Sequence, residues 1–413
     1  MITNDGKAGS FLKNAYFFSW VLALLFYALE YGVRSSPSVM MPQLMDNFGS
    51  DTTQVSAIIS AYYITYSITS LAAGMVLDRM GAKSPLIMGM IILALGCILF
   101  ISPNYFSGYI GRLLQGMGSA IAFPAAVFLA VKAFSGKNLA TAIGITQTLG
   151  MLGGSAGQKL SNSYLSSGYS FNSLWILFGI ASLILGILVL IKTPKPDAEE
   201  FLEVRKQPLL DNYKIVFSNF QSWLCGIASG LLFAPTTIFA MIWGVDFLEK
   251  ARGLSHEQAT VACALVPIGW AVGCPLFGWL ADKFEKRIPV LAGGAVVMIL
   301  FLLQLAFLPN LIGAGVSLFF MGVGSGAAML PYSTIKEVNP DKVKGSATGA
   351  INFLVFGVTS LLSPIFTHLF GSKFELAVNK NLVLQHSILF FIFGIGISIF
   401  ICTFLKETGN SSK

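Results

Sequence analysis

Charge is the scarcest thing in this sequence. Only 11% of its 413 residues are Asp, Glu, Lys or Arg, against roughly 25% in soluble domains. A soluble chain of this length needs more charge than that to coat its surface, which excludes a soluble enzyme. At 55% hydrophobic residues and a mean hydropathy of +0.74, a disordered chain is excluded as well. Histidine is nearly absent, and His256, His368 and His386 form no cluster. The five cysteines, Cys97, Cys225, Cys263, Cys274 and Cys402, lie in apolar runs at no metal-ligand spacing. They read as small packing residues, so no metal is expected. No Gly-rich Lys-Ser/Thr phosphate loop is present, which argues against ATP-driven work and leaves no cofactor to expect.

What the sequence does have is length of apolar run. A membrane-spanning helix needs about 20 mainly apolar residues. Twelve runs qualify, near 15–41, 52–76, 84–102, 108–131, 138–163, 172–192, 216–246, 259–281, 288–308, 311–335, 346–371 and 386–405. The expected fold class is therefore an all-α membrane protein of twelve transmembrane helices, embedded in a lipid bilayer. The polar start carries Lys7 and Lys13, and the run after it lacks a small-residue cleavage signal. It reads as a retained span. Most connections are short. The exception is 193–214, with Pro194, Pro196 and Pro208 around an acidic-basic stretch. It divides the chain into an N-terminal bundle, 1–192, a linker, 193–214, and a C-terminal bundle, 215–413.

The net charge of +7 invites a nucleic-acid partner. Position gives a better account. With the N-terminus in the cytoplasm, the N-terminal segment, even-numbered loops and tail hold 19 of the 26 basic residues, and the odd-numbered loops hold five. That bias obeys the positive-inside rule and places both termini in the cytoplasm. No nucleic acid is needed.

The two halves repeat. Gly74-x-x-x-Asp78-Arg79-x-Gly81-x-Lys83 follows the second span, and Gly278-x-x-x-Asp282-Lys283-x-x-Lys286-Arg287 follows the eighth, 204 residues later. Pro124 and Pro331 are 207 apart, as are Gly150 and Gly357. Near-constant offsets indicate a duplicated six-helix unit, a plan many secondary transporters share.

With these motifs in place, the sequence resembles the major facilitator superfamily over almost its whole length. Gly74 to Lys83 matches the family's motif between helices 2 and 3, and Gly278 to Arg287 its weaker copy. Arg112-Leu-Leu-Gln115-Gly116-Met-Gly118-Ser-Ala120 matches its helix 4 motif. The resemblance implies two pseudo-symmetric six-helix bundles around a midplane cavity, working by rocker-switch alternating access. It also ties Arg112 to proton coupling, or to structuring the helix beside the coupling site. The segments Glu30-Tyr-Gly-Val-Arg34-Ser-Ser-Pro-Ser-Val-Met and Trp243-Gly-Val-Asp246-Phe-Leu look like the phagosomal-transporter branch of intracellular bacteria. That branch is associated with amino-acid and nucleoside uptake, and related carriers handle siderophores.

Ionisable groups inside spans are costly and therefore functional candidates. Three remain after the loops are assigned: Glu30, Arg34 and Arg112. Glu30 and Arg34 are four apart on one helix face and can pair. They make either a self-neutralising structural pair or a site where a proton neutralises Glu30 and frees Arg34. The second reading makes Glu30 the coupling residue and Arg34 the anion anchor. Arg112 near the outer end of its helix reads otherwise as a snorkelling interfacial arginine. Asp78 reads as a gate, facing the positive N-terminus of the helix that begins near Gly345-Ser346. Arg79 and Lys83 add loop charge pairs there, and Asp282 and Lys283 stand at the repeat; the plain alternative is a topology signal.

For the cavity wall, Tyr27, Tyr62, Tyr66, Gln147, Trp243, Trp270, Tyr332 and Asn352 offer stacking surfaces and hydrogen bonds to a small-molecule substrate. Tyr63 and Gln158 are further candidates, and packing is the plain alternative for each. Asp246 reads as a solvated loop charge or an outer gate. Ser155 stands where antiporters of this type carry a proline, which favours symport. Gly153-x-Ser155-x-Gly157 mimics a hydrolase elbow, but it has no strand before it and no His-acid partner. His256-Glu257-x-x-Thr260 lacks the second histidine of a zinc site.

The expectation is a monomeric, non-enzymatic secondary transporter of the bacterial inner membrane, importing a small polar metabolite such as an amino acid or nucleoside with protons. Proton-driven efflux of drugs or siderophore transport is the alternative, and a sensor or channel is a more distant one.

Overall fold

The structure is a computed structural model, and it describes residues 4–134, 137–195, 211–340 and 343–409. Most of the linker falls outside the described residues. The side chain of Asp78 does too, so its gate role has no structural description.

The chain crosses back and forth as twelve long helices. These are α1 (Asn4–Ser35), α2 (Thr52–Met80), α3 (Lys83–Phe100), α4 (Tyr105–Ala133), α5 (Lys137–Ser166) and α6 (Phe171–Lys192). After the linker come α7 (Phe220–Arg252), α8 (His256–Phe284), α9 (Ile288–Phe307), α10 (Ala314–Glu337), α11 (Lys344–Gly371) and α12 (Lys380–Cys402). Eleven of them are long and apolar enough to cross a membrane; α5 is the exception. Its apolar content is diluted by Gln147, Gln158 and a run of glycines, which meet α1 and α7. An even number of crossings brings both chain ends to one side, here named the terminal face; the opposite side is the far face.

Local chemistry places the boundaries. Asp51 and Gln54 form a reciprocal capping box at the start of α2, and Ser255 and Gln258 form another at the start of α8. The two boxes are 204 residues apart, the same offset as the loop motif. Both helices also end on a left-handed residue at that offset. In α2 it is Gly81, with φ 69°; in α8 it is Glu285, with φ 51°. Glycine adopts this conformation freely, whereas a side chain there costs about 1 kcal/mol. The sequence repeat is thus a repeat of helix starts and stops.

Pro124 and Pro331 act alike. Each sits just after a break in its helix, at Ala120–Ile121 in α4 and at the 3-10 turn Gly326–Met329 in α10. Proline lacks the N–H that would continue the ladder. Inter-helix distance is set by glycine. A Cβ on Gly153 or Gly157 of α5 would lie 2.2 Å from Ala28 O or 2.4 Å from Gly32 Cα of α1. In the other half, Gly269 of α8 and Gly322 of α10 make the same kind of backbone approach.

Two expectations about boundaries shift. The first run does not continue as one helix to 41: α1 stops at Ser35, and a 3-10 turn (Ser36–Val39) and a short helix (Met41–Phe48) follow. Asp246 is not a loop residue. It lies within α7, 7% exposed, with Lys250 Nζ 2.7 Å from its carboxylate one turn on.

Candidate functional site

Glu30 and Arg34 sit in the last two turns of α1, where a cation also complements the helix dipole. Both are fully buried. Arg34 Nη2 donates to both carboxylate oxygens of Glu30, at 3.1 and 2.9 Å. The hydroxyl of Tyr62 on α2 donates to Oε2 at 2.7 Å. The guanidinium of Arg34 is walled by aromatic faces: its carbon lies 4.0 Å from the Tyr31 ring centroid and 4.5 Å from that of Tyr66. Its Nη1 has no hydrogen-bond acceptor among the described residues. One strong donor is therefore held in reserve inside the protein.

Arg112 is equally buried but has a different task. Its Nη1 donates to Val33 O of α1 at 3.1 Å and to Gln115 Oε1 at 2.7 Å. Nη2 reaches Arg34 O and Ile59 O, at 3.4 and 3.5 Å. Zero exposure rules out the snorkelling reading. Arg112 does not touch Glu30; the two are linked through Tyr62, over whose ring Arg112 lies at 4.7 Å. It ties α4 to the carbonyls freed at the end of α1, beside the ion pair.

A central cavity lies on the other side of Tyr31 and Tyr66. Tyr27, Tyr31, Tyr66, Phe123, Gln147, Ser229, Phe233, Trp270, Met329, Tyr332, Asn352 and Phe356 line it. Its free volume is about 30 Å³, room for about two waters. Tyr27 donates to Gln147 Oε1 at 3.3 Å, Tyr332 to Asn352 Oδ1 at 2.6 Å, and Trp270 to Ser325 Oγ at 2.8 Å. Six of the eight residues expected on the cavity wall are brought together here: Tyr27, Tyr66, Gln147, Trp270, Tyr332 and Asn352. Tyr62 stands behind that wall, on Glu30. Trp243 is elsewhere, fully buried against Phe247, Phe366 and Gly371. Along α7 it stands ten residues beyond the cavity-lining Phe233, at the end of a stretch that is π-helical over Pro235–Trp243. A wider turn rotates every later side chain away from its 3.6-residue position.

Tyr31, Phe123, Phe233 and Phe356 were not anticipated. For Tyr31 a signal existed: it lies four residues after Tyr27 and three before Arg34, on one face. The phenylalanines carry no signal, since this sequence has 34 of them.

The two ends of the bundle differ. At the far face the halves are bonded together. Gln158 Nε2 donates to Ser38 Oγ at 2.9 Å and to Ala240 O at 2.8 Å. His256 joins Glu249 at 3.0 Å and Val39 O at 3.1 Å. Ser60 and Ser363 hydroxyls meet at 2.6 Å. Gln158 therefore belongs to this seal, not to the cavity wall. Toward the terminal face, α4 and α5 stand apart from α8 and α10 around a vestibule of about 370 Å³. Phe123, Met329 and Tyr332 line both spaces and partition them.

The loop-motif residues are placed at the terminal face. Gly74 lies beside Gly345 O, 3.9 Å from where its Cβ would be, so α2 does meet the start of α11 there. Arg79 is partly buried. Among the described residues Lys83 makes no pair across the halves; its Nζ donates to Thr193 O at the end of α6, 2.8 Å away, and caps the negative end of that helix. Asp282 is exposed on the vestibule wall, and Lys283 lies 4.8 Å over the Trp279 ring.

With this geometry described, known proteins can be compared. The model of the Major Facilitator Superfamily matches residues 23–364. The chain belongs to the Major Facilitator Superfamily. It is 25% identical over 375 residues to a hexuronate transporter of Bacillus subtilis, covering 84% of this chain and 86% of that one. It is 22% identical over 387 residues to a probable galactarate/D-glucarate transporter of the same organism, covering 84% of each. A chloramphenicol resistance protein of Acinetobacter baumannii is 23% identical over 363 residues, covering 84% of this chain and 86% of that one. Among solved structures, a bacterial homologue of the human lysosomal transporter Spinster, inward-facing, superposes with a TM-score of 0.74. It shares 14% identity and covers 94% of this chain and 96% of that one. The nucleoside transporter NupG gives 0.74 at 15% identity, covering 94% and 99%. The protein is a multi-pass secondary transporter of small molecules with the twelve-helix fold of the superfamily.

Proposed function

We propose that this chain imports a small, carboxylate-bearing metabolite together with protons, with Glu30 as proton carrier and Arg34 as the anchor for the substrate's negative charge. The observation that carries this reading is the sealed Glu30–Arg34 pair with its unspent guanidinium nitrogen Nη1. Protonating Glu30 alone would strand a buried cation, at a cost of about 3–5 kcal/mol. Admitting an anion alone would leave the site with excess negative charge. The two events together keep it balanced, and that balance is the coupling. Amino acids and sugar acids both offer the carboxylate, and the names of the hexuronate and galactarate/D-glucarate relatives support the second class. A nucleoside would use the aromatic walls and leave Arg34 unengaged.

On this reading the terminal face is cytoplasmic, in keeping with its share of Lys and Arg, and the membrane is a bacterial inner membrane. The carrier works as a monomer through alternating access, and the present conformation is open toward the cytoplasm. Proteoliposomes containing a pH-sensitive dye test it. D-glucuronate, an amino acid mixture and a nucleoside are added in turn under an inward proton gradient. Proton entry that depends on the carboxylate supports the reading; proton entry driven by the nucleoside alone overturns the carboxylate assignment. A second reading, drug export, has the chloramphenicol resistance relative in its favour. Proton release on addition of chloramphenicol would select it.

A further inference from the structure

The vestibule has chemistry that the central site does not use. Among the described residues its wall carries three charged side chains, Asp282, Arg287 and Lys336. Asp282 is exposed at the mouth. The charge of Arg287 is paired with Glu337, Nη2 to Oε1 at 2.5 Å, and its backbone N–H donates to Glu407. Lys336 is different. It stands on α10, half-buried in the wall, and has no hydrogen bond or ion pair among the described residues. The neighbouring acid, Glu337, is already engaged by Arg287. A cation drawn out of water with no counter-charge is unfavourable unless something that visits the space compensates it.

Position adds to this. Lys336 lies one turn beyond Tyr332 and Ser333 on the same helix face, and both of these also line the vestibule. Tyr332 belongs to the partition with the central cavity as well. The three side chains thus run from the cavity wall toward water at the terminal face. The vestibule's volume of about 370 Å³ falls in the range of about 300–1,000 Å³ that small-molecule sites occupy.

We propose that Lys336 and Ser333 form a second anion-binding station, which takes the carboxylate of the cargo as it leaves Arg34 and passes it to the terminal face. The station rests on the carboxylate reading above. It gives the departing anion a cation in place of the one it gives up, so release does not cross an uncompensated stretch. Being exposed only on the terminal side of the partition, it acts on binding from that side and not from the far side.

Sided vesicles test this. Half-saturation for radiolabelled D-glucuronate is measured from the terminal face in inside-out vesicles and from the far face in right-side-out vesicles. In Lys336→Gln, the terminal-face constant should rise about tenfold, the loss of one charge-assisted contact. The far-face constant should stay at the wild-type value, and Lys336→Arg should restore the terminal-face value. An unchanged terminal-face constant, or an equal rise on both faces, overturns the station and leaves the carboxylate reading intact. Wild-type protein that binds neither D-glucuronate nor any of the amino acids from either face overturns that reading, and the station with it.

Discussion

Tyr62 joins Glu30 to Arg112 through one ring: its hydroxyl donates to Glu30 Oε2 at 2.7 Å, and its face lies 4.7 Å from the guanidinium carbon of Arg112. Both ends of that ring can be tested separately. Tyr62→Phe keeps the face and removes the hydroxyl. A hydrogen bond to a charged group is worth about 1.5–3 kcal/mol. We expect proton-driven uptake to fall about tenfold or more in a variant that still folds, melting moderately below wild type by the loss of that bond. Wild-type uptake in Tyr62→Phe would remove the hydroxyl from the coupling mechanism.

The far-face seal makes its own prediction. His256 bridges Glu249 and the carbonyl of Val39 in the other half. His256→Ala should loosen the seal and populate conformations open to the far face. A reporter, Ser38→Cys, is nearly inaccessible at 2% exposure. Its labelling by a membrane-impermeant maleimide from the far face should rise several-fold in the His256→Ala background. Equal labelling in both backgrounds would assign the closure to Gln158 and the Ser60–Ser363 contact instead.

Glycine spacing between α1 and α5 is a stability prediction. A Cβ at Gly157 meets backbone atoms of Gly32 at 2.4 Å, and backbone cannot rotate away. Gly157→Ala should destabilise the protein by about 1–3 kcal/mol, the usual range for overpacking, read as a lower melting temperature in detergent. Gly144, which has open space around it, should accept alanine without loss.

Outside the spans, Glu407 anchors the tail to the start of α9. Burial raises its carboxyl pKa, but the backbone N–H groups of Arg287, Gly409, Ile288 and Thr408 outweigh that and hold it below the ordinary value. A depressed native value means the contribution is fully present above the unfolded pKa, near 4.3, and is lost as pH falls through the native one. Glu407→Ala should therefore melt lower than wild type at pH 7, with the gap closing as the medium is acidified below about pH 4. A gap that persists unchanged in acid would mean the carboxylate's charge is not what anchors the tail.

Much of this arrangement was legible before any coordinates, and the reasons are physical. Burying a charge in a membrane is so costly that Glu30, Arg34 and Arg112 stood out by elimination, and all three are fully buried within a few side chains of one another. The loop motif and the prolines predicted a repeat because they are where helices stop and break. Trp243 was misplaced because it stands ten residues beyond the cavity-lining Phe233, at the end of a π-helical stretch that nothing in the residue types announces. Lys83 was read as a gate charge because its sequence neighbours are motif residues; its partner, the carbonyl of Thr193, is a backbone atom more than a hundred positions away. The vestibule and the lysine in its wall were invisible for the same reason, since they depend on which helices separate and not on their composition.

The central claim is that Glu30 carries the proton, and Glu30→Gln in proteoliposomes tests it most directly. Two rates are compared for the same preparation: uptake of D-glucuronate driven by an inward proton gradient, and counterflow exchange of D-glucuronate with no gradient. The account predicts that gradient-driven uptake is lost while exchange continues, because a permanently neutral side chain still leaves Arg34 free for the anion. Gradient-driven uptake at the wild-type rate in Glu30→Gln would contradict it.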